Sequence, residues 1–191
     1  MIATLLLAAG KSSRMQGRDK LLELVDGEPL LRLLALRALP LGPVYATLPP
    51  IGHPRYDILP DPVQTVPVDG ELSDNIRAGI ATLPSDTQGV ILLPADMPEI
   101  TQADLAKIKD TALKTDALIV RALTEDGRAG HPIYFSVKVF DRFAELRGDR
   151  GAFRIIDDLK DEVVAVPLAG NRARLDLDTP QDWADWRAKR P

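Results

Sequence analysis

The sequence predicts an α/β fold in which helices cover both faces of a mostly parallel central sheet. Strand-like and helix-like segments alternate along the chain, as they do in strand–helix–strand units. The run Gly89–Leu93 is apolar throughout, which fits a strand buried on both faces of a sheet. The chain has 191 residues, of which 45% are hydrophobic, and this is enough for one packed core. We therefore expect a single domain over residues 1–191.

The strands can be assigned in order along the chain. The first strand is the apolar run Ile2–Ala8, which stops before Gly10. The Pro-rich region Leu41–Pro67 is expected to be largely irregular, with one or two short extended pieces within Tyr56–Val66. The predicted strands are Ile2–Ala8, Val44–Leu48, Gly89–Leu93, Asp116–Ala122, Ile133–Phe135, Val163–Val166 and Arg172–Leu177.

The helices are indicated by their first turns and by their apolar faces. Pro29–Leu39 has a proline in its first turn and leucines on a broad face. Thr101 is suited to cap a helix that runs to about Ala112, with Asp104 at the third position. Thr179 and Pro180 open a last helix. The other predicted helices are Asp74–Leu83, Ser136–Leu146 and Gly151–Leu159.

The composition excludes several classes of function. The net charge of −4 disfavours a general nucleic-acid binder, since no overall positive field recruits phosphate backbones. The absence of cysteine excludes disulfides, cysteine-held zinc, iron–sulfur clusters and a thiol nucleophile, and it is compatible with the cytoplasm, where we expect the protein. With two histidines, any metal site would rest on carboxylates, which favours magnesium or manganese. The N-terminal apolar run is too short to span a bilayer, and no cation precedes it as in a signal peptide.

A loop of small and cationic residues follows the first strand. Small residues allow a ligand to approach the backbone closely, and backbone N–H groups there can point at an anion. Four cations of the loop can pair with phosphate oxygens. They are Lys11, Arg14, Arg18 and Lys20. This arrangement predicts a nucleoside triphosphate site at the carboxyl end of the first strand.

The loop resembles the signature Leu-Ala-Ala-Gly-x-Ser-x-Arg-Met-Gly-x-Asp-Lys of the MobA-like nucleotidyltransferases, with Gln16 as one extra residue. The resemblance implies a Rossmann-like, GT-A-like nucleotidyltransferase fold. It also implies that Arg14 and Lys20 are catalytic, together with Asp96, discussed below. The nucleotide-binding residues that it implies in the loop are Leu7, Ala8, Ala9, Gly10, Ser12, Arg14 and Lys20.

Two carboxylate-containing segments follow predicted strands. Asp96 lies just past a buried strand, and its segment resembles the family's Gly-Asp-x-Pro motif, whose aspartate binds magnesium, with Ala95 in place of glycine. Asp96 could instead only begin a turn. The segment 176–182 resembles the family's Asp-x-Asp-Thr-Pro-Glu-Asp ending, and strand alternation would place Asp176 and Asp178 on one side. The resemblance makes Asp178 the second expected Mg²⁺ ligand; its alternative role is helix capping, and Asp182 is expected to face the helix dipole.

Three further segments resemble family elements that choose the substrates. Ser73 and Asn75 lie where relatives approach the nucleotide base, and Ser73 could also be only an N-cap. Gly-His-Pro at 130–132 and Gly-Asp-x-Gly-Ala at 148–152 resemble acceptor-site turns, although Phe153 stands where arginine is common. His53 is expected to be solvated. The acceptor-binding residues implied are Gly130, His131, Asp149 and Arg154.

The Leu-Ala-Ala-Gly start of the loop and the Gly-His-Pro and Gly-Asp-x-Gly-Ala segments resemble molybdenum cofactor cytidylyltransferases more than the guanylyltransferase branch. The resemblance implies transfer of CMP from CTP to molybdopterin, with contact to a recipient molybdoenzyme or its chaperone. The attacking phosphate is already anionic, so catalysis reduces to positioning and charge neutralisation. Two alternatives stay open: a cytidylyl- or uridylyltransferase for a sugar or alcohol phosphate, and an accessory protein that binds nucleotide without turnover. The departures at Gln16, Ala95 and Phe153 motivate the second alternative.

Overall fold

A computed structural model describes residues 1–190, with Asp149 described by its backbone alone. Seven strands form the main sheet in the order β5-β4-β1-β6-β8-β7-β9, and β2 and β3 form a separate hairpin. The strands are β1 (Ile2–Leu7), β2 (Leu24–Val25), β3 (Glu28–Pro29), β4 (Val44–Leu48), β5 (Gln64–Pro67), β6 (Gly89–Pro94), β7 (Ile119–Leu123), β8 (Ala129–Ser136) and β9 (Val163–Pro167).

The main sheet is mostly parallel, as the sequence predicts. β1 lies inside the sheet and pairs in parallel with β4 and β6, so that Leu5 is opposite both Tyr45 and Leu92. β8 runs antiparallel to its two neighbours, β6 and β7, and β9 is parallel to β7. β8 covers Ala129–Ser136 and is therefore longer than the predicted strand Ile133–Phe135. Hydrogen bonds to partners on both sides extend it beyond its apolar run.

Helices cover both faces of this sheet. The helices are α1 (Leu30–Ala38), α2 (Leu72–Thr82), α3 (Gln102–Thr115), α4 (Phe153–Asp158) and α5 (Pro180–Ala188). α1, α3 and α5 share one apolar cluster with alternate strand residues such as Leu6 and Leu93. α2, α4 and the 3-10 segment Val137–Glu145 share the other cluster, with Leu5 and Leu92. Successive strand residues point to opposite faces, so both layers bury apolar side chains of the same strands.

Two of the predicted elements are wrong. The segment Arg172–Leu177 is not a strand: its start is a 3-10 turn, Arg172–Arg174, and the chain then continues unpaired to Asp178. Its neighbour β8 already pairs with β6 and β7, which leaves no free edge for another strand. The predicted α-helix over Ser136–Leu146 consists of 3-10 turns, in which Leu146 N–H donates to the carbonyl of Phe143.

The last helix, α5, is fixed to several distant segments. Trp183 and Trp186 are buried, and the indole N–H of Trp186 donates to Glu99, just beyond β6. Arg187 pairs with Glu23 at 2.8 Å, beside the hairpin. Among the helices of residues 1–190, none is both long and apolar enough to cross a bilayer.

The topology brings the predicted site segments together at one edge of the sheet. β1 and β6 are neighbours with Leu7 opposite Pro94, and both strands end there. Ala95 N–H then donates to the Leu7 carbonyl at 3.2 Å. Leu177 N–H donates to the Asp96 carbonyl at 3.2 Å, which places Asp178 beside the end of β6. Ligands bind at such carboxyl ends of strands in open α/β sheets.

Candidate active site

The loop between β1 and β2, residues 8–20, has a defined turn structure. Its 3-10 turn, Ser13–Met15, buries Met15 completely. Ser12 and Gln16 flank the turn, and both have left-handed backbone angles, with φ of 50° and 53°. Gly17 follows with φ of 85°. The extra residue, Gln16, therefore lies in an exposed turn of the loop, where the chain reverses direction.

A buried arginine supports this loop from behind. Arg55 is 1% exposed and comes from the 3-10 turn Pro54–Tyr56. Its guanidinium donates to the carbonyls of Ala8 at 2.5 Å and Gly10 at 2.8 Å. It also donates to Ser12 Oγ at 3.0 Å and to both carboxylate oxygens of Asp19 at 2.7 Å. One side chain thus connects the two ends of the loop.

The pair Arg55–Asp19 is a partly buried, two-pronged ion pair, the strongest geometry available to these groups. Burial alone would raise the pKa of Asp19, but hydrogen bonds and charge from Arg55, with smaller contributions from Leu21 N–H and Ser12, hold that pKa below its ordinary value. The sequence does not reveal Arg55, since it lies in the Pro-rich region expected to be irregular. Its neighbour His53 caps the same turn by accepting from Arg55 N–H at 3.3 Å.

Four charged side chains meet in front of the loop. Lys20 Nζ lies 2.6 Å from Asp96 Oδ2 and 2.7 Å from Asp178 Oδ1. Arg14 Nη2 lies 2.7 Å from the other oxygen of Asp178. Burial would lower the pKa of Lys20, but the charges and hydrogen bonds of the two carboxylates outweigh it and raise that pKa. The structure therefore brings together the three predicted catalytic residues and both predicted metal ligands.

The carboxylate group extends to a third member. Asp96, Asp176 and Asp178 each offer an oxygen, and these oxygens all lie within 4.8 Å of one another. Burial raises the pKa of Asp176, and repulsion from Asp96 and Asp178 adds to the effect. Asp96 Oδ1 is buried and has no hydrogen-bond partner among the described residues. An all-oxygen set with one free buried oxygen fits a hard divalent cation such as Mg²⁺ or Mn²⁺.

A cavity of about 490 Å³ opens beside this charged centre. On one side it is lined by the loop, through Leu7, Ala9, Gly10, Lys11 and Lys20. On the other side it reaches the start of α2 and the 150–153 turn. A smaller cavity of about 190 Å³ continues from it along the loop. The residues of the smaller cavity are Gly10, Lys11, Ser12, Ser13, Arg14, Lys20 and Asp178. The two cavities together form a nucleotide-sized cleft with a cationic end.

Two residues predicted to bind the nucleotide face away from this cleft. Ala8 is buried, its N–H donates to Thr47, and its carbonyl accepts from Arg55, so its backbone groups are already used. Ser73 is also buried, and its hydroxyl donates to the Gly148 carbonyl. Ser73 is not an N-cap either, because Glu71 caps α2 in a capping box with Asp74. The cap lies two residues earlier than the sequence suggests.

Asn75 does reach the cleft. It is 5% exposed, lines the 490 Å³ cavity, and donates from Nδ2 to the Glu71 carbonyl at 2.8 Å. Its Oδ1 is buried and accepts no hydrogen bond from the described residues. Such an oxygen is costly unless a ligand donates to it.

The predicted acceptor residues divide into two groups. Gly130 and His131 line a second cavity, of about 260 Å³, that shares Asp96 with the first. Arg154 is exposed and lines neither cavity, whereas Phe153, one residue earlier, lines both. Arg150 is the cation that the same turn contributes to the first cavity. The side chain of Asp149 lies outside the described residues.

His131 stands between the two cavities and lines both. Burial, reinforced by the nearby charge of Arg121, lowers its pKa to about 4, although Asp96 and a Leu92 backbone contact oppose the shift. The ring is therefore neutral at pH 7. Its Nδ1 is buried without a partner among the described residues.

Comparison with known proteins agrees with this geometry. The profile of the MobA-like NTP transferase domain matches residues 4–163. The chain belongs to this family. A curated relative, the molybdenum cofactor guanylyltransferase of Vibrio cholerae serotype O1, is 28% identical over 97% of this chain and 91% of its own length. The protein is accordingly a nucleotidyltransferase, which confirms the predicted family and class of enzyme.

Solved structures share the fold of this chain. Rv0371c of Mycobacterium tuberculosis H37Rv has a TM-score of 0.85 and 27% identity, over 98% of both chains. A structure of Rv0371c in complex with manganese has a TM-score of 0.82 and 26% identity, over 99% of both chains. The predicted nucleotidyltransferase fold, a mostly parallel sheet covered on both faces, is therefore confirmed.

Proposed function

We propose that the protein transfers CMP from CTP to molybdopterin in a Mg²⁺-dependent reaction that releases pyrophosphate. The observation that carries this proposal is the charged centre at the junction of the cavities, where Lys20 bridges Asp96 and Asp178. Cations and carboxylates at such a junction suit a triphosphate on one side and an attacking phosphate on the other. The absence of cysteine fits the cytoplasm as the place of this reaction.

The main task of the protein in this reaction is to position the two reactants. An oxygen of the acceptor phosphate bonds to the α-phosphorus, and the bond from that phosphorus to the bridging oxygen of pyrophosphate breaks. The electron pair leaves with pyrophosphate, and the attacking phosphate is already ionised, so no base has to remove a proton. A divalent cation held by Asp96, Asp176 and Asp178 would neutralise charge on the triphosphate oxygens.

The side chains of the loop supply the remaining positive charge. Lys11, Arg14 and Lys20 line the small cavity at the cationic end of the cleft. Lys20 is held between two carboxylates, so its ammonium is fixed in place before substrate arrives. Preorganised charge of this kind lowers the barrier because it needs no rearrangement during reaction.

Two observations favour CTP. The free Oδ1 of Asn75 is an acceptor that the exocyclic amine of cytosine can satisfy with one hydrogen bond. The segments Leu7–Gly10, Gly130–Pro132 and Gly148–Ala152 resemble the cytidylyltransferase branch. GTP is the second candidate, because the Vibrio cholerae relative is named a guanylyltransferase and guanine also carries N–H donors.

Pyrophosphate release with CTP or GTP and molybdopterin as acceptor tests the proposal. We expect kcat/KM for CTP to exceed that for GTP by about tenfold or more, the value of about one net hydrogen bond. Asn75→Leu should reduce that ratio. Thr82→Val, near the end of the same helix, is the matched control and should leave the ratio unchanged, since its hydroxyl only donates to Ala78.

Each contrary result has a distinct meaning. Preference for GTP would replace the nucleotide but keep the enzyme class. Turnover only with a sugar or alcohol phosphate would replace molybdopterin as the acceptor. Nucleotide binding without pyrophosphate release in the presence of molybdopterin, a sugar phosphate or an alcohol phosphate would instead support the accessory-protein alternative. Contact with a recipient molybdoenzyme or its chaperone, which we also propose, is testable by pull-down with purified partners.

A further inference from the structure

The second cavity lies on the other side of Asp96 from the nucleotide cleft. It shares Pro94, Asp96, His131 and Phe153 with the 490 Å³ cavity, so a ligand in one reaches the boundary of the other. The remaining residues of its lining are Met97, Arg121, Ala129, Gly130, Ala173, Arg174 and Asp176. Two guanidinium groups therefore face a space next to the reaction centre.

Close packing of two segments places these arginines side by side. Arg121 lies on β7, and Arg174 ends the 3-10 turn that packs against β8. Gly130 allows this packing, because a Cβ there would lie only 1.9 Å from the Ala173 carbonyl oxygen. The glycine of the Gly-His-Pro segment thus positions the turn that carries Arg174.

Neither arginine forms an ion pair with a described side chain. Arg121 Nε donates to the Gly130 carbonyl at 3.3 Å, and Arg174 Nη1 donates to the Ala129 carbonyl at 3.0 Å. Among the described side chains, the ion pairs include neither of them. Burial, and next the charge of Arg174, lower the pKa of Arg121, which Asp157 only partly offsets. The pair is therefore held together at an electrostatic cost that an anion would remove.

Arg121 is also held in a fixed orientation. Its guanidinium carbon lies 5.3 Å from the ring centre of Phe153, which is 49% exposed at the rim shared by both cavities. Stacking on an aromatic ring leaves the N–H donors at the edge of the guanidinium free to bind two phosphate oxygens. Phe153, the departure from the family pattern, thereby gains a role in positioning Arg121.

We propose that Arg121 and Arg174 bind the phosphate monoester of the acceptor in this second cavity. The assignment rests on the proposed function, since it concerns the group that attacks CTP. Asp176 lines the same cavity and would repel a phosphate. As a member of the three-carboxylate group, it would be neutralised when that group holds a divalent cation.

Kinetics can separate this site from the triphosphate site. Arg121→Gln and Arg174→Gln should each raise KM for molybdopterin about tenfold or more, the effect of losing one charge-assisted hydrogen bond, while the affinity for CTP and Mg²⁺ in calorimetry stays within about twofold. Arg121→Lys should recover part of the loss, because it restores charge without the planar fork. Arg128→Gln is the matched control on the same hairpin: Arg128 pairs with Asp126 and should not change KM.

A second readout does not depend on turnover. We expect inorganic phosphate to bind the protein saturated with a non-hydrolysable CTP analogue and Mg²⁺ in calorimetry, and to lose that binding in the double variant R121Q/R174Q. Unchanged phosphate binding in the double variant, or a parallel loss of CTP affinity, would overturn the assignment. If wild type binds phosphate through these arginines but releases no pyrophosphate with molybdopterin, the anion site stands and the proposed function fails.

Discussion

Arg55, behind the loop, and Arg121, beside the second cavity, are both arginines removed wholly or partly from water. Arg55 has a carboxylate partner and bonds four residues, whereas Arg121 donates only to one backbone carbonyl among the described residues. A buried charge with every donor satisfied holds a structure together. A charge whose donors face a cavity without a counterion is arranged for a ligand instead. Asp96 Oδ1 and Asn75 Oδ1 are also of this second kind, since both are buried without a hydrogen-bond partner among the described residues.

The largest expected effect is on stability and concerns Arg55, whose hydrogen-bond donors are all satisfied. Arg55→Met should lower the free energy of unfolding by about 3–5 kcal/mol, because it leaves Asp19 partly buried without its cation. Asp19→Asn and the double variant complete a mutant cycle, measured by urea denaturation. The matched control is the surface pair Arg32–Glu28, for which we expect a coupling energy of about 0.3–0.5 kcal/mol. A coupling for Arg55–Asp19 no larger than that would show that the pair does not hold the loop.

A substitution of Asp96, whose Oδ1 has no hydrogen-bond partner among the described residues, should change the reaction rate rather than the stability of the protein. Asp96→Asn should lower kcat by about two to three orders of magnitude, since it removes a charge from the reacting centre. Lys20 keeps Asp178 as a partner, so thermal unfolding should occur close to the wild-type temperature. Asp185→Asn, an exposed carboxylate on α5, is the control and should change neither quantity. A D96N enzyme that turns over within twofold of wild type would remove Asp96 from the site.

The smallest effect concerns His131, whose pKa of about 4 lies below its ordinary value of 6.5. At pH values between about 4 and 6.5, the His131 ring binds a proton in the unfolded chain but not in the folded protein. Stability therefore falls as pH decreases from about 6.5 to 4, and it is unaffected by this group above about 6.5.

His131→Gln should remove this dependence. We expect the difference in unfolding free energy between wild type and H131Q to change by about 2 kcal/mol between pH 6.5 and 4.5. Urea denaturation at several pH values measures it, with His53→Gln as the reference for the chain's other histidine. An identical slope in wild type and H131Q would mean that the ring titrates normally in the folded protein.

The sequence predicted the fold and the meeting of the loop with Asp96 at one edge of the sheet, because local patterns encode strands and their ends. Apolar runs and their alternation predict the parallel sheet and its two helical layers. Asp96 follows a strand, and strand ends meet at one edge of such a sheet, whereas Asp178 was expected from the family resemblance and follows a segment that is not a strand. The failures share a physical cause: Arg55, Arg121 and Arg174 act through tertiary neighbours that no local pattern specifies, and the predicted strand at 172–177 lacked a free edge. Ser73 was misassigned because Glu71 competes for the cap.

The position of α5 gives the site an order of assembly during translation. Every strand of the main sheet lies within the first 167 residues. Asp178 comes later, and α5 helps to hold its segment, because Asp182 accepts from Asp178 N–H and Trp186 donates to Glu99. A nascent chain that has emerged through Pro167 therefore contains the residues of every strand of the main sheet but lacks Asp176 and Asp178 of the carboxylate group. The residues of the sheet become available for folding before those of the site are complete.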